Sequence, residues 1–231
     1  VGLTKKSRVV LFSDSLLAQM GPSELAAVFA HEIGHAARRH VLVFLVLVLG
    51  FVMLGDLLGR QFFPDSEGAA TVVLLAVMGV WFALFVFLSR RFELDADLYS
   101  LDVLGEVRSL ISALEKVGGR LRDVAGWRHF STADRVEFLL RAQSDRRVAE
   151  RLRRDLSRWA WAGVALFVVT AVLQVVQLAG SWHEDHVRAD LALGEYARAR
   201  ARVAESVEID AGLRELVGRT TRLAEHEPPA T

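Results

Sequence analysis

No cysteine occurs among the 231 residues. A disulfide scaffold, thiolate zinc ligation and a cysteine nucleophile are therefore excluded. Proline occurs only four times. With Ala, Leu, Val and Arg abundant, the chain is expected to be mainly α-helical. Net charge is also lacking: 28 basic side chains balance 28 acidic ones. That leaves no global electrostatic case for nucleic acid as a partner. The first residues are polar and open on Val1 rather than Met, so further segments upstream are expected.

Long charge-free runs are plentiful. Hydrophobic residues make up 52% of the chain and the mean hydropathy is +0.30, more apolar than a soluble domain of this size usually is. Residues 41–58 carry one charge, Asp56, while 71–88 and 159–182 carry none. Eighteen helical residues rise about 27 Å, close to the roughly 30 Å of a bilayer core. The third run is longer and is bracketed by Trp159, Trp161 and Trp182, as interfacial aromatics would be. The first two form a transmembrane hairpin around a polar connection at 59–70, and the third crosses separately. Arg38, Arg39, Arg90, Arg91 and the seven Arg of 141–158 flank the same ends of these runs. By the bias of basic residues toward the cytoplasm, the segments before 41 and at 89–158 lie on the cytoplasmic side. The tail from His183 then lies opposite.

Ahead of the first run sits His31-Glu32-Ile33-Gly34-His35, an HExxH pattern. Residues four apart share a helix face, so His31 and His35 can offer imidazole nitrogens to one ion. Glu32 is beside them, placed to take a proton from a zinc-bound water. Gly21-Pro22-Ser23-Glu24 starts this helix, which is expected to continue to about His40 with Leu25, Val28, Phe29 and Ile33 as its buried stripe. Gly34 costs about 1 kcal/mol relative to Ala in a helix, and its small size admits a neighbouring strand or substrate backbone. Upstream, 8–12 reads as a short edge strand, against which an extended substrate would add. Ser13 or Asp14 then caps a short helix through Met20.

A third ligand is needed. The class with a His ten residues after the first is excluded, because Val41 stands there. His40 follows His35 by five residues, about 140° away round a continuous helix, and is expected at the membrane interface. Glu93 and Asp97 are four apart on one face. They read either as a third ligand with a carboxylate behind a zinc histidine or as a solvated acidic face. Asp95 points elsewhere and is expected to be solvated. The His183/His186 pair is read as interfacial.

These pieces resemble the HtpX-like integral-membrane zinc metallopeptidases, gluzincin-type enzymes with HExxH followed by ExxxD. They share a superfamily with the membrane CAAX prenyl proteases and the mitochondrial stress peptidases. Ser13-Asp14-Ser15-Leu16-Leu17, Glu24-Leu25-Ala26-Ala27-Val28, the HEIGH pentapeptide and Glu93 to Asp97 match the family pattern in order, with the hydrophobic hairpin between. A later His-Pro-x-x-x-x-Arg element is matched by His129 and Arg135, with Phe130 in place of the Pro. The resemblance covers about residues 5–140. It implies that His31, His35 and Glu93 bind one Zn2+ per chain, and that Glu32 is the base. It also implies that Asp97 supports a zinc histidine, that His129 steadies the transition-state oxyanion and that Arg135 is its structural or electrostatic partner. The family usually has two further spans before this region.

The expected fold is a zinc metallopeptidase domain at 1–158 with the hairpin inserted, a transmembrane helix at 159–182 and a helical tail at 183–231. In the tail, 190–207 has the Leu/Gly/Tyr/Ala spacing of a tetratricopeptide-type helix, suited to binding another protein. The expected function is a zinc-dependent endopeptidase in the lipid bilayer of a bacterial inner membrane. Its substrates would be proteins or peptides, by resemblance misfolded or damaged membrane proteins. Two other readings compete. One is a catalytically inactive membrane adaptor or sensor with a metal-stabilised domain, opposed by the full set of ligand and base residues. The other is a prenyl-protein processing protease, for whose large chamber three spans are few.

Overall fold

The computed structural model of the chain describes residues 9–119, 122–127, 130–205 and 209–226. They are mostly helical, and none of them is in a strand. The expected edge strand at 8–12 is absent among its described residues: 9–13 has no regular structure. A β-branched run becomes a strand only when another strand satisfies its backbone, and no strand occurs among the described residues. Helix α1 (Asp14–Gln19) begins at Ser13, whose hydroxyl accepts the Leu16 N–H at 3.2 Å.

Helix α2 (Pro22–Ala37) carries the HEIGH pentapeptide. The Glu24 carboxylate reaches back to accept the Gly21 N–H at 2.7 Å and pairs with Lys116 Nζ at 2.6 Å. Lys116, aided by Ser112 and the Gly21 N–H, holds the Glu24 carboxyl down at about 2. A carboxyl whose pKa falls on folding stabilises the fold above its unfolded value, and that contribution is lost as pH falls through the folded value. Glu24→Gln should therefore lower the thermal midpoint of the detergent-solubilised chain at pH 7, with the gap to wild type closing near pH 2. Equal midpoints at pH 7 would contradict this.

The buried face of α2 is not the expected one. Glu24, Ala27, Ala30, His31 and Gly34 are buried, whereas Leu25, Val28 and Ile33 are only partly so and Phe29 is exposed. Small residues win this face because they let α2 lie directly on helix α4 (Glu67–Leu104). There the Ser100 hydroxyl donates to the Ala27 carbonyl at 3.0 Å. The neighbour that Gly34 admits is thus a helix rather than a strand. A Cβ at Gly34 would stand 3.0 Å from Tyr99 Cβ and 3.1 Å from Ala96 Cα. Backbone cannot yield, so Gly34→Val should force the helices apart at a cost of about 1–3 kcal/mol. The check is a lower thermal midpoint together with weaker zinc retention; an unchanged midpoint would refute the close contact.

Helix α2 does not run on to His40. It stops at Ala37, Arg39 takes the left-handed conformation (φ 59°), and α3 (His40–Phe62) starts afresh. Helices α3 and α4 form the hairpin, joined by 63–66 rather than the longer 59–70, because Ser66 caps α4 at Ala69 N–H and Glu67 sits in its first turn. Gly59 lies against Ala70, which brings the two helices close at the turn. Helices α5 (Arg108–Gly118) and α6 (Thr132–Ser144) complete the polar region. Ala27, Val107, Leu110 and Leu139 form its core. Helix α7 (Arg146–Ala192) follows. Its Leu156 joins Leu47, Leu88 and Phe92 in a second core. Among the described residues, Pro22–Phe62 (α2 and α3 together), Glu67–Leu104 and Arg146–Ala192 are long and apolar enough to cross a membrane. They expose Val72, Leu75, Val80, Val172 and Val175, as lipid-facing positions do.

The chain divides into two compact units, Val1–Thr170 and Ala171–Thr231. In the second, the expected single helix at 190–207 is interrupted. Helix α7 ends at Ala192, Gly194 turns the chain at φ 75°, and α8 (Tyr196–Glu205) begins. Glycine after a helix end is the usual left-handed stop. Helices α8 and α9 (Ala211–His226) enclose Ala199, Ile209, Leu213 and Val217 with Val187.

Candidate active site

One turn of α2 places His31 and His35 side by side, with their Nε2 atoms 3.3 Å apart. From α4, Glu93 brings Oε2 to 3.7 Å from His31 Nε2 and Oε1 to 3.6 Å from His35 Nε2. One donor atom from each of the three lies within 4.8 Å of the others. A tetrahedral zinc ion with donors at about 2.0–2.2 Å holds them roughly 3.3–3.6 Å apart. The residues present therefore fit zinc in both chemistry and spacing. Glu32, on the same turn, is exposed and open to water.

Behind the three donors lies a charged layer. Asp97 is fully buried, and its Oδ1 lies 2.8 Å from His31 Nδ1. Arg135, delivered by α6, grips the same carboxylate with two hydrogen bonds of 2.6 and 2.8 Å and lies 3.6 Å from Glu93. Burial alone would raise the Asp97 pKa, but the Arg135 guanidinium and the His31 contact outweigh it and hold the carboxyl well below its usual range. Burial works against the charge of Arg135 in turn, and Asp97 restores it. Burial, with His31 and His40 beside it, pushes the His35 imidazole down to about 3. It is therefore neutral, as a metal-binding histidine must be.

A profile described as Peptidase family M48 matches residues 1–186. The chain belongs to peptidase family M48. "Protease HtpX" of Pseudomonas putida is 33% identical to this M48 chain over 132 residues, covering 50% of the chain and 44% of the relative. "Protease HtpX homolog 1" of Streptomyces coelicolor is 32% identical over 130 residues, covering 51% and 43%. "Protease HtpX homolog 2" of Methanosarcina mazei is 30% identical over 138 residues, covering 54% and 46%. The M48 chain thus spans less than half the length of the curated relatives it matches. No solved structure matches it significantly.

Of the residues singled out from the sequence, the structure brings His31, His35, Glu93, Asp97 and Arg135 into one cluster, while Glu32, next to His31 in the chain, is exposed. His129 lies outside the described residues. Its flanks are tied to α4, where Arg90 donates to the carbonyls of Gly126 and Trp127 at 3.0 and 3.3 Å and sits 5.8 Å from the Phe130 ring. Two expectations are corrected. His40 is not interfacial: it is buried, stacked on Phe92 at 4.1 Å, and in contact with His35. Asp95 is not solvated: it is buried, 3.1 Å from His40 and 3.7 Å from both Arg38 and Arg153. Both errors share one cause, the break at Arg39, which turns His40 back toward α4. Nothing at Arg39 signals that break, since the usual left-handed residues are Gly and Asn. In the tail, His186 Nδ1 lies 2.8 Å from the Trp182 carbonyl.

Proposed function

We propose that the chain is the catalytic part of a membrane-bound zinc endopeptidase. The convergence of His31, His35 and Glu93, with an open carboxylate at Glu32 alongside, carries this reading. Those three residues would hold one zinc ion per chain, which would supply an acidified water and a polarised scissile carbonyl. Glu32 accepts the proton of the attacking water and returns it to the leaving amine. Asp97 orients the His31 ring through Nδ1, and Arg135 keeps Asp97 charged and in place. His129 stabilises the developing oxyanion, a role that rests on the family resemblance.

The working unit is 1–158 with the membrane hairpin inserted, followed by a crossing at 159–182 and a helical tail at 183–231 that binds another protein. Glu93 lies five residues past the apolar run 71–88 on the same helix, about 7.5 Å along its axis. That nearness favours proteins in or emerging from the lipid bilayer as substrates, misfolded membrane proteins above all. The basic flanks favour a bacterial inner membrane with the site on the cytoplasmic side.

The test is metal analysis plus proteolysis by the purified, detergent-solubilised chain. It should hold one zinc per chain and cleave unfolded casein in a manner stopped by a chelator and restored by zinc. A zinc-bearing chain inert on every unfolded substrate would favour an adaptor instead.

A further inference from the structure

Each zinc-facing histidine must present a bare Nε2 lone pair, which requires its proton to sit on Nδ1. His31 meets this through Asp97. At His35 the Nδ1 atom lies 3.0 Å from Nδ1 of His40 rather than beside a carboxylate of the described residues. Two lone pairs cannot face each other at that distance, so one ring donates. His40 Nε2 lies 3.1 Å from Asp95 Oδ2. A carboxylate accepts, and the charge of this one is already met by Arg38 and Arg153, so a neutral His40 carries its proton on Nε2 and its Nδ1 is an acceptor. His35 is then the donor, and its Nε2 is left bare, 3.3 Å from the Nε2 of His31, an approach of two lone pairs that a zinc ion between them would relieve.

We infer that His40, fixed by Asp95, is a positioning residue that selects the tautomer and ring orientation of His35. The inference rests on the zinc peptidase reading. It makes Asp95–His40–His35 a two-step counterpart of the single contact Asp97–His31. His40 is not a ligand, because it contacts His35 on the side away from the three converging donors. Its ring is buried and held flat on Phe92, with an interplanar angle of 8°. Asp95 is in turn flanked by Arg38 and Arg153, each 3.7 Å away. The relay therefore has little freedom to reorient. Loss of an outer partner of a metal histidine typically costs 10–100-fold in metal affinity or activity.

Two polar replacements of similar size separate positioning from mere packing. Asn at 40 puts an amide oxygen near the place of Nδ1, and Gln puts its amide near the place of Nε2. His40→Asn should keep zinc affinity within about threefold of wild type, read by competition with a chromophoric chelator. His40→Gln should weaken zinc binding about 10–100-fold. It should also lower kcat on casein with KM unchanged and shift the visible spectrum of the cobalt-substituted chain. If both variants bind zinc as wild type does while Glu32→Gln still abolishes cleavage, the role of His40 is refuted and the peptidase reading stands. Equal losses from Asn and Gln would reduce His40 to packing and likewise overturn the inference. A wild-type chain that binds no zinc would overturn both readings together.

Discussion

Glu32→Gln is expected to abolish casein cleavage by the purified chain while leaving one zinc bound. Glu32 is exposed and is not among the three side chains whose donor atoms converge, so the metal should not notice its loss. Glutamine keeps the shape and helix preference of glutamate but cannot accept a proton at neutral pH. A positioned general base contributes about 10²–10⁴ in rate, or roughly 3–5 kcal/mol of barrier. The expected fall in kcat/KM is therefore at least a hundredfold, at an unchanged thermal midpoint. A variant that loses zinc along with activity would make Glu32 a ligand. One that cleaves at the wild-type rate would move the base elsewhere.

Asp97→Ala is expected to be the most damaging substitution for the fold of the first unit. The carboxylate is fully buried and bound twice by Arg135, whose own side chain is mostly buried. Its removal takes both close hydrogen bonds from a buried guanidinium and leaves it Glu93 at 3.6 Å. Removing one partner of such a pair costs about 3–5 kcal/mol, most of it the desolvation of the charge left behind. His31 loses the contact at Nδ1 in the same step, so zinc affinity should fall about 10–100-fold. Arg135→Met added to Asp97→Leu should recover part of the stability but none of the zinc affinity. The check pairs chemical denaturation with zinc competition. Strictly additive stability losses in the double variant would show that Asp97 and Arg135 do not act as a pair.

Much of this arrangement can be read from spacing alone. His31 and His35, and Glu93 and Asp97, are each four apart, and a period of 3.6 puts each pair on one face. The membrane runs stand out because charge is missing from them. What escapes is whatever tertiary packing decides. The face of α2 that packs inward is the one with Ala27, Ala30 and Gly34, because close approach of backbones outweighs the larger Val28 and Phe29. The run 9–12 has the composition of a strand but is not in one. The role of His40 and Asp95 depends on one left-handed residue, Arg39, that carries no sequence mark. Arg135 is visible from the sequence only by likeness to a family, since nothing local ties it to Asp97 across 38 positions.

The hairpin has a consequence for dissection of the molecule. It is usual to regard membrane helices as a tether from which a catalytic domain can be cut free. Here α3 and α4 are the only covalent route from the helix bearing His31 and His35 to the helix bearing Glu93. Trimming the apolar segments would not release a soluble enzyme but would divide its metal-binding set between two fragments. A water-soluble version needs a designed short bridge from Arg38 to Ser89, stiff enough to replace the closure that the two membrane helices provide.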